Sequence, residues 1–369
     1  MGRGAAFVHR WWRGEAGWPG RALDLALAPA ELLFRGGEAA YHAAYSGGLL
    51  GAERVAAPVV SVGNLTVGGA GKTPVTRWLV DELLRRGARP AVLHGGYAAD
   101  EPALHARWHP GVPVVAERDR RTGARRALDA GATVLVLDDG FQHRRLARDL
   151  DIVLVAAERW SARPRLLPRG PWREAPAALV RADVVVVTRR TATPEAAAAV
   201  AAEVRRFAPG AVPAVVALRA AGWLRWRGGA PAGPGPGRVE PDPRRRPAPD
   251  GAEAGAPAAA VGAPRGVAVS GIAEPGAFLA QARASGAVLT ASLEFRDHHE
   301  YTARDAERIV AAAAGAAVLT TAKDAVKLEP LLPGVELWVL EQEVVVEAGA
   351  ADLASALADL VAGMGGGLA

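Results

Sequence analysis

The stretch PVVSVGNLTVGGAGKTPVTRWLVDELL, residues 58–84, decides how the chain is read. Its opening apolar, β-branched run (Val59, Val60, Val62) predicts a buried strand over 59–62. A glycine-rich turn follows, Gly68-Gly69-Ala70-Gly71-Lys72-Thr73. Then comes an amphipathic segment opened by Pro74, a residue favoured in the first turn of a helix. In such a strand, glycine loop and helix start, backbone N–H groups and the helix dipole cradle an anion. Lys72 then reaches the outer phosphates, and the Thr73 hydroxyl ligates Mg2+. The pattern G-x-x-x-x-G-K-[ST] breaks only at its first position, where Thr66 stands. Val67 replaces the extra lysine of dimerising KGGxGKT loops, which counts against a partitioning ATPase. The competing reading is a glycine-rich βα turn with a surface lysine.

Working outward, 369 residues suffice for two domains with cores of their own. Cysteine is absent, which excludes disulfides and thiolate metal sites. The formal charge of +5, carried mainly by arginine, suits an anionic membrane surface or a phosphorylated substrate as well as nucleic acid. No uninterrupted apolar run reaches the roughly 18 residues of a spanning helix. The N-terminus has neither a secretory apolar region nor a cleavage site, so the expectation is a cytoplasmic chain.

Four regions are expected. Residues 1–50 place Trp11, Trp12 and Trp18 among arginines ahead of the apolar run ALDLALAPAELLF (22–34), the look of an interfacial amphipathic helix. A helix packed on the body is the alternative. Residues 51–222 alternate strands (59–62, 91–94, 112–115, 133–137, 152–155, 184–187, 214–218) with helices such as 120–130 and 194–207. Continuous Val/Leu strands mean coverage on both faces, hence an α/β fold with a mostly parallel sheet and helices on both faces. Residues 223–265, rich in Pro, Gly and Ala, read as a disordered insertion or linker. Residues 266–369 form a second, smaller α/β domain.

Four further stretches carry candidate chemistry. Asp138-Asp139-Gly140 follows the strand TVLVL, where a P-loop protein holds its Mg2+-binding acid. Asp100-Glu101-Pro102 stands in the loop region after strand 91–94; by spacing alone it is a charged turn, though a carboxylate there can act as a base. Arg296-Asp297-His298-His299 precedes a helix near 302, and one histidine can orient a carboxylate. Adjacent histidines do not share a helix face, and no H-E-x-x-H is present, so zinc is not the reading. Thr321-Ala322-Lys323-Asp324 lies at a strand end, like a nucleobase-recognition motif; a helix cap by Asp324 explains it nearly as well.

Together these stretches resemble the tetraacyldisaccharide 4′-kinase (lipid A 4′-kinase) family. The matching segments are VGNLTVGGAGKTP, ADEPAL, DDGFQHRRLARDLDIVL, LLPRGPWRE, SGIAEPGAF, FRDHHEYT and TAKDAVK, seven in the family's order. The family's loop carries the same threonine variant seen at Thr66. The resemblance implies a P-loop-type kinase fold and transfer of the γ-phosphoryl of ATP to the 4′-hydroxyl of an acylated glucosamine disaccharide 1-phosphate, giving lipid IVA. It implies ATP and Mg2+ as cofactors, with Gly68, Gly69, Ala70, Gly71, Lys72 and Thr73 on the phosphates, while Lys323 and Asp324 are expected on the nucleotide from the T-x-K-D spacing alone. Thr73, Asp138 and Asp139 are implied on the metal, and Asp100 as catalytic base paired with His298, with Lys72 also catalytic. It further implies a peripheral or monotopic place at the cytoplasmic face of the bacterial inner membrane, with neither nucleic acid nor an obligate protein partner. The chain departs from the family in reading His94-Gly95-Gly96-Tyr97 where S-R-G-Y is usual, in a shortened 97–100 loop, and in the 223–265 insertion. Rival readings are a P-loop GTPase or metal-insertion chaperone, in which TAKD selects guanine, and a membrane-associated scaffold.

Overall fold

The computed structural model describes residues 3–12, 14–96, 100–226 and 263–363. They fall into two compact units. Unit 1 comprises residues 1–98, 113–219 and 343–369; unit 2 comprises 99–112 and 220–342.

Unit 1 opens with three helices, α1 (Arg3–Trp12), α2 (Gly17–Ala26) and α3 (Ala28–Ser46). The single apolar helix expected near 22–34 is therefore two, broken at Leu27, with a proline in the first turn of α3. The body that follows contains β1 (Val59–Asn64), α4 (Lys72–Arg85) and β2 (Pro90–His94). In chain order the remaining elements begin with α5 (Asp100–Trp108), which belongs to unit 2. Unit 1 resumes with β3 (Val114–Ala116), α6 (Arg120–Asp129), β4 (Val134–Asp138), β5 (Leu150–Ala156), β6 (Val184–Arg189) and α7 (Pro194–Val204). The strand β7 (Val212–Trp226) runs on from unit 1 into unit 2.

The strands of unit 1 pair in the order β3-β2-β4-β1-β5-β6-β7, and every pairing is parallel. Every residue of β1, β2, β4 and β5 is buried, as the unbroken Val/Leu runs require when helices cover both faces. One face is packed by Leu65, Phe141, Val153, Leu166, Leu179 and Val185, and a second cluster gathers Val59, Leu93, Leu135, Leu137 and Leu146. Each fully buried side chain of this size contributes about 1.5–3 kcal/mol. The register aligns Val62 with Asp138, so the C-terminal ends of β1 and β4 lie side by side. Open parallel sheets bind ligands at such ends.

Unit 2 contains α5 and continues with β8 (Arg265–Ser270), α8 (Pro275–Ala284), β9 (Val288–Glu294), α9 (Ala303–Ala313), β10 (Ala317–Thr320), α10 (Ala322–Leu328) and β11 (Leu337–Ala348). β11 crosses back into unit 1, which closes with α11 (Ala350–Ala362). Strands β11, β10, β8 and β9 form a parallel set in that order. Its core joins Leu104 of α5 to Trp226, Val267, Ile309, Val318 and Val339. Thr302 and Asp305 form a reciprocal capping box that starts α9, and Thr321 caps α10.

The chain is thus divided differently from the expected 51–222 and 266–369. The segment holding Asp100 packs into unit 2, and the C-terminal stretch returns to unit 1. The expected insertion at 223–265 falls mainly on residues outside the described ones. Strands border it on both sides, because β7 continues to Trp226 and β8 begins at Arg265. Among the described residues, no helix is long and apolar enough to cross a membrane.

Candidate functional site

The glycine loop is shaped for an anion. Gly68, Gly69 and Gly71 have φ of 69°, 68° and 84°, the left-handed region that favours glycine. A Cβ on Gly71 would also lie 2.3 Å from the Leu218 side chain, so space and backbone both demand glycine there. The loop is braced from β6, where the Thr188 hydroxyl donates to the Ala70 carbonyl at 3.0 Å and Arg190 donates to the Gly69 carbonyl. Gly71 is followed directly by the first turn of α4, which begins at Lys72 and includes Thr73 and Pro74. Backbone N–H groups in such a turn, with the helix dipole behind them, form a phosphate cradle.

Around the loop, side chains converge from four places in the sequence. The Lys72 ammonium donates to the Asn64 side-chain oxygen at 3.0 Å and lies 3.6 Å from an oxygen of Asp139. Arg173 holds Asp139 with both terminal nitrogens, at 3.0 and 2.8 Å, and also reaches Asn64. Burial alone would raise the Asp139 pKa, but Lys72 and Arg173 outweigh it and hold the carboxyl well below its ordinary range. Asp139 adopts φ 57°, an uncommon conformation for a residue with a side chain. Asp138, at the end of β4, is buried and accepts from the Thr76 hydroxyl at 3.3 Å. Thr73, Asp138 and Asp139 present only oxygen, the donor chemistry that hard divalent cations take. Sequence reasoning missed Asn64 and Arg173, although both lie inside family-like segments; a side chain's partner more than a hundred residues away leaves no local signal.

Unit 2 assembles a second cluster. Asp100 is not in a loop but opens α5, where its Oδ1 accepts from the Glu101 N–H at 3.0 Å. Its side chain is 2% exposed. Its Oδ2 faces His298 Nδ1 at 3.4 Å and the Lys327 ammonium at 3.1 Å. Burial pushes the Asp100 pKa up, but the neighbouring His298 imidazole and the charges of Lys323 and Lys327 prevail, holding it well below the usual carboxylate range. His298 has φ 52°, and its Nε2 is 2.9 Å from the Lys323 ammonium. His299 turns elsewhere, meeting Asp305 at 3.0 Å and stacking on Phe295. Asp100 and His298, expected as a pair, thus lie side by side, with Nδ1 close to the carboxylate but not hydrogen-bonded to it.

Lys323 and Asp324, expected on the nucleotide, are both engaged within unit 2. Asp324 is fully buried, with Oδ2 accepting from the Gly271 N–H and the Thr321 hydroxyl and Oδ1 from the Tyr301 hydroxyl. Its carboxylate is spent on unit 2 itself, and Lys323 is directed at His298, Glu101 and Asp297.

A parallel α/β sheet with a glycine loop between β1 and α4, a lysine at its end and paired aspartates after the neighbouring strand defines a P-loop phosphotransferase. The family model for "Tetraacyldisaccharide-1-P 4'-kinase" matches residues 23–100 and 98–362, and the chain belongs to that family. A tetraacyldisaccharide 4′-kinase of Anaeromyxobacter dehalogenans strain 2CP-C is 40% identical over 94% of this chain and 93% of the relative. One from Geobacter metallireducens is 37% identical over 78% and 84%, respectively. The crystal structure of an "apo" form of LpxK from Aquifex aeolicus in complex with ATP is 26% identical, with a TM-score of 0.65. The alignment covers 92% of this chain and 99% of that one.

Proposed function

We propose that this protein is an ATP-dependent kinase that phosphorylates the 4′-hydroxyl of tetraacyldisaccharide 1-phosphate, the step that yields lipid IVA in lipid A biosynthesis. The observation that carries the proposal is the family membership, together with a complete phosphate cradle in unit 1 and a carboxylate–histidine pair in unit 2. The GTPase, chaperone and scaffold alternatives are not favoured.

Phosphoryl transfer rests on positioning and charge neutralisation rather than covalent chemistry. The glycine loop and Lys72 hold the β- and γ-phosphates and meet the charge on the transferred group. Thr73, Asp138 and Asp139 are the residues that would hold Mg2+, which when bound supplies further charge neutralisation on the phosphates. Arg173 keeps Asp139 ionised and aimed. Asp100 takes the proton of the acceptor hydroxyl, and its depressed pKa keeps it ionised across the working pH range. His298 orients it.

The acceptor is an acylated lipid, and the N-terminal helices suit a peripheral place at the cytoplasmic face of the inner membrane. Trp18, Leu25, Leu32 and Leu33 are each at least 69% exposed, an apolar set that a soluble surface has no use for. Arg10 and Arg21 in the same segment match anionic headgroups.

The test is ATP consumption by the purified chain with and without the lipid disaccharide monophosphate, alongside GTP. Lipid-dependent use of ATP with a bis-phosphorylated product is expected. Preference for GTP without lipid dependence would overturn the assignment.

A further inference from the structure

The chain uses arginine for nearly every positive charge. Of its 44 basic residues only three are lysine: Lys72, Lys323 and Lys327. Lys72 ends the phosphate loop. The other two stand four apart on α10, on one helix face, and both reach the pair that the proposed mechanism uses for the acceptor. A chain that elsewhere writes arginine holds lysine where a compact ammonium, rather than a broad planar fork, meets a single atom.

Each ammonium does meet a single atom of the pair. Lys327 Nζ lies 3.1 Å from Asp100 Oδ2, and Lys323 Nζ lies 2.9 Å from His298 Nε2. Both lysine side chains are largely buried, 11% and 17% exposed. An ammonium donates and cannot accept, so the imidazole nitrogen it meets is the one without a proton. The other nitrogen, Nδ1, then carries the hydrogen, and Nδ1 is the atom that faces Asp100 Oδ2.

We propose that Lys323 and Lys327 are positioning residues for phosphoryl transfer: Lys323 fixes His298 in the tautomer whose Nδ1–H points at Asp100, and Lys327 anchors the Asp100 carboxylate in its ionised form. The groups around Asp100 are consistent with this division of labour. Lys323, Lys327 and His298 supply positive charge or a donor, while Glu101 and Asp297 neutralise Lys323 from its other sides, at 3.5 Å each. Tyr301 and Asp324 hold Lys327 from beneath, at 5.6 Å to the ring centre and 3.9 Å to the carboxylate. His298, in its left-handed backbone conformation, is held at Nε2 by Lys323, which leaves Nδ1 facing Asp100 at 3.4 Å.

The proposal rests on the kinase reading for its catalytic meaning, but its geometric half is tested without substrate. The full chain is labelled with 15N-histidine, and the His298 resonances are assigned by comparison with His298→Gln. Wild type is expected to have a protonated-type Nδ1 and an unprotonated-type Nε2 near neutral pH, and Lys323→Met to lose that preference. A protonated Nε2 in wild type, or an unchanged pattern in Lys323→Met, overturns the role of Lys323. For Lys327, the readout is the pH profile of kcat/KM for the lipid acceptor. Lys327→Met is expected to lower kcat about tenfold and to move the acid limb to higher pH, with KM for ATP unchanged. Lys327→Arg, which keeps the charge, is expected to return the limb toward its wild-type position. An acid limb unmoved in Lys327→Met, or moved equally in Lys327→Arg, overturns the role of Lys327. Wild-type protein that shows no lipid-dependent ATP turnover defeats the kinase reading instead and leaves the histidine result standing.

Discussion

Arg173 holds Asp139 through two parallel hydrogen bonds, 3.0 Å from Nη1 to Oδ2 and 2.8 Å from Nη2 to Oδ1. A planar guanidinium makes this two-point contact and an ammonium does not. Arg173→Lys is therefore expected to keep the charge but lose the aim of Asp139, lowering kcat roughly 10–100-fold. Steady-state kinetics with ATP and lipid, and an unchanged circular dichroism spectrum, check this. Near wild-type kcat in Arg173→Lys would mean that charge alone suffices.

Lys72 bridges Asn64 and Asp139 and lies at the start of α4. Lys72→Ala removes the cation proposed to meet the transferred phosphoryl group, so turnover should fall about 10²–10³-fold or more, by analogy with loss of one transition-state charge contact. Because Arg173 also holds Asn64 and Asp139, the two partners of Lys72, the melting temperature should change little. Calorimetry and a coupled ATPase assay separate the two effects.

Asp100→Ala removes the proposed base. Its loss is expected to cost roughly 10²–10⁴-fold in kcat while nucleotide affinity stays as in wild type. Activity close to wild type would show that another group takes the acceptor proton.

Gly63, near the end of β1, has no room for a side chain. A Cβ there would lie 2.4 Å from Phe141 Cβ and 2.7 Å from the Phe141 backbone nitrogen. Gly63→Ala must push β1 away from the segment that carries Asp138 and Asp139, at a cost of about 1–3 kcal/mol. The expected result is a melting temperature several degrees lower, with a loss of activity larger than the stability change explains.

Asp151 is buried in β5, and burial pushes its carboxyl up to about 6, against a partial pull downward from Arg148. The sign follows from proton binding. The folded state binds this proton more tightly than the unfolded chain, so the contribution of Asp151 is most favourable below the unfolded value of 3.8 and is lost as pH rises through about 6. The loss is of the order of 3 kcal/mol. Asp151→Asn should flatten the fall in melting temperature between pH 4 and pH 7. An unaltered slope would locate that proton elsewhere.

The local elements were legible because their determinants are local. Val/Leu runs predict the buried strands β1, β4, β5 and β6, and each forms within a residue or two of the expected bounds. The turn around Gly68–Thr73 was readable because a left-handed backbone and a helix start each have residue-level requirements. Asp100 was misread as a turn because Pro102 suggests a break, yet proline is tolerated in the first turn of a helix, where α5 places it. The surroundings of Asp324 were not legible because burial is a tertiary property: T-x-K-D has the same spelling whether the aspartate faces a ligand or the interior.

By itself the sequence determined the phosphate loop, the parallel α/β class and the family, since glycine positions, apolar periodicity and motif order are properties of the chain read along its length. Only the tertiary structure decided that Arg173 grips Asp139, that Lys327 and His298 meet on one oxygen of Asp100, and that residues 99–112 fold with the second unit. Those contacts join residues 34, 227 and 198 positions apart. They exist because strand register and helix packing bring distant segments together, and no local pattern encodes which partner each charged side chain will meet.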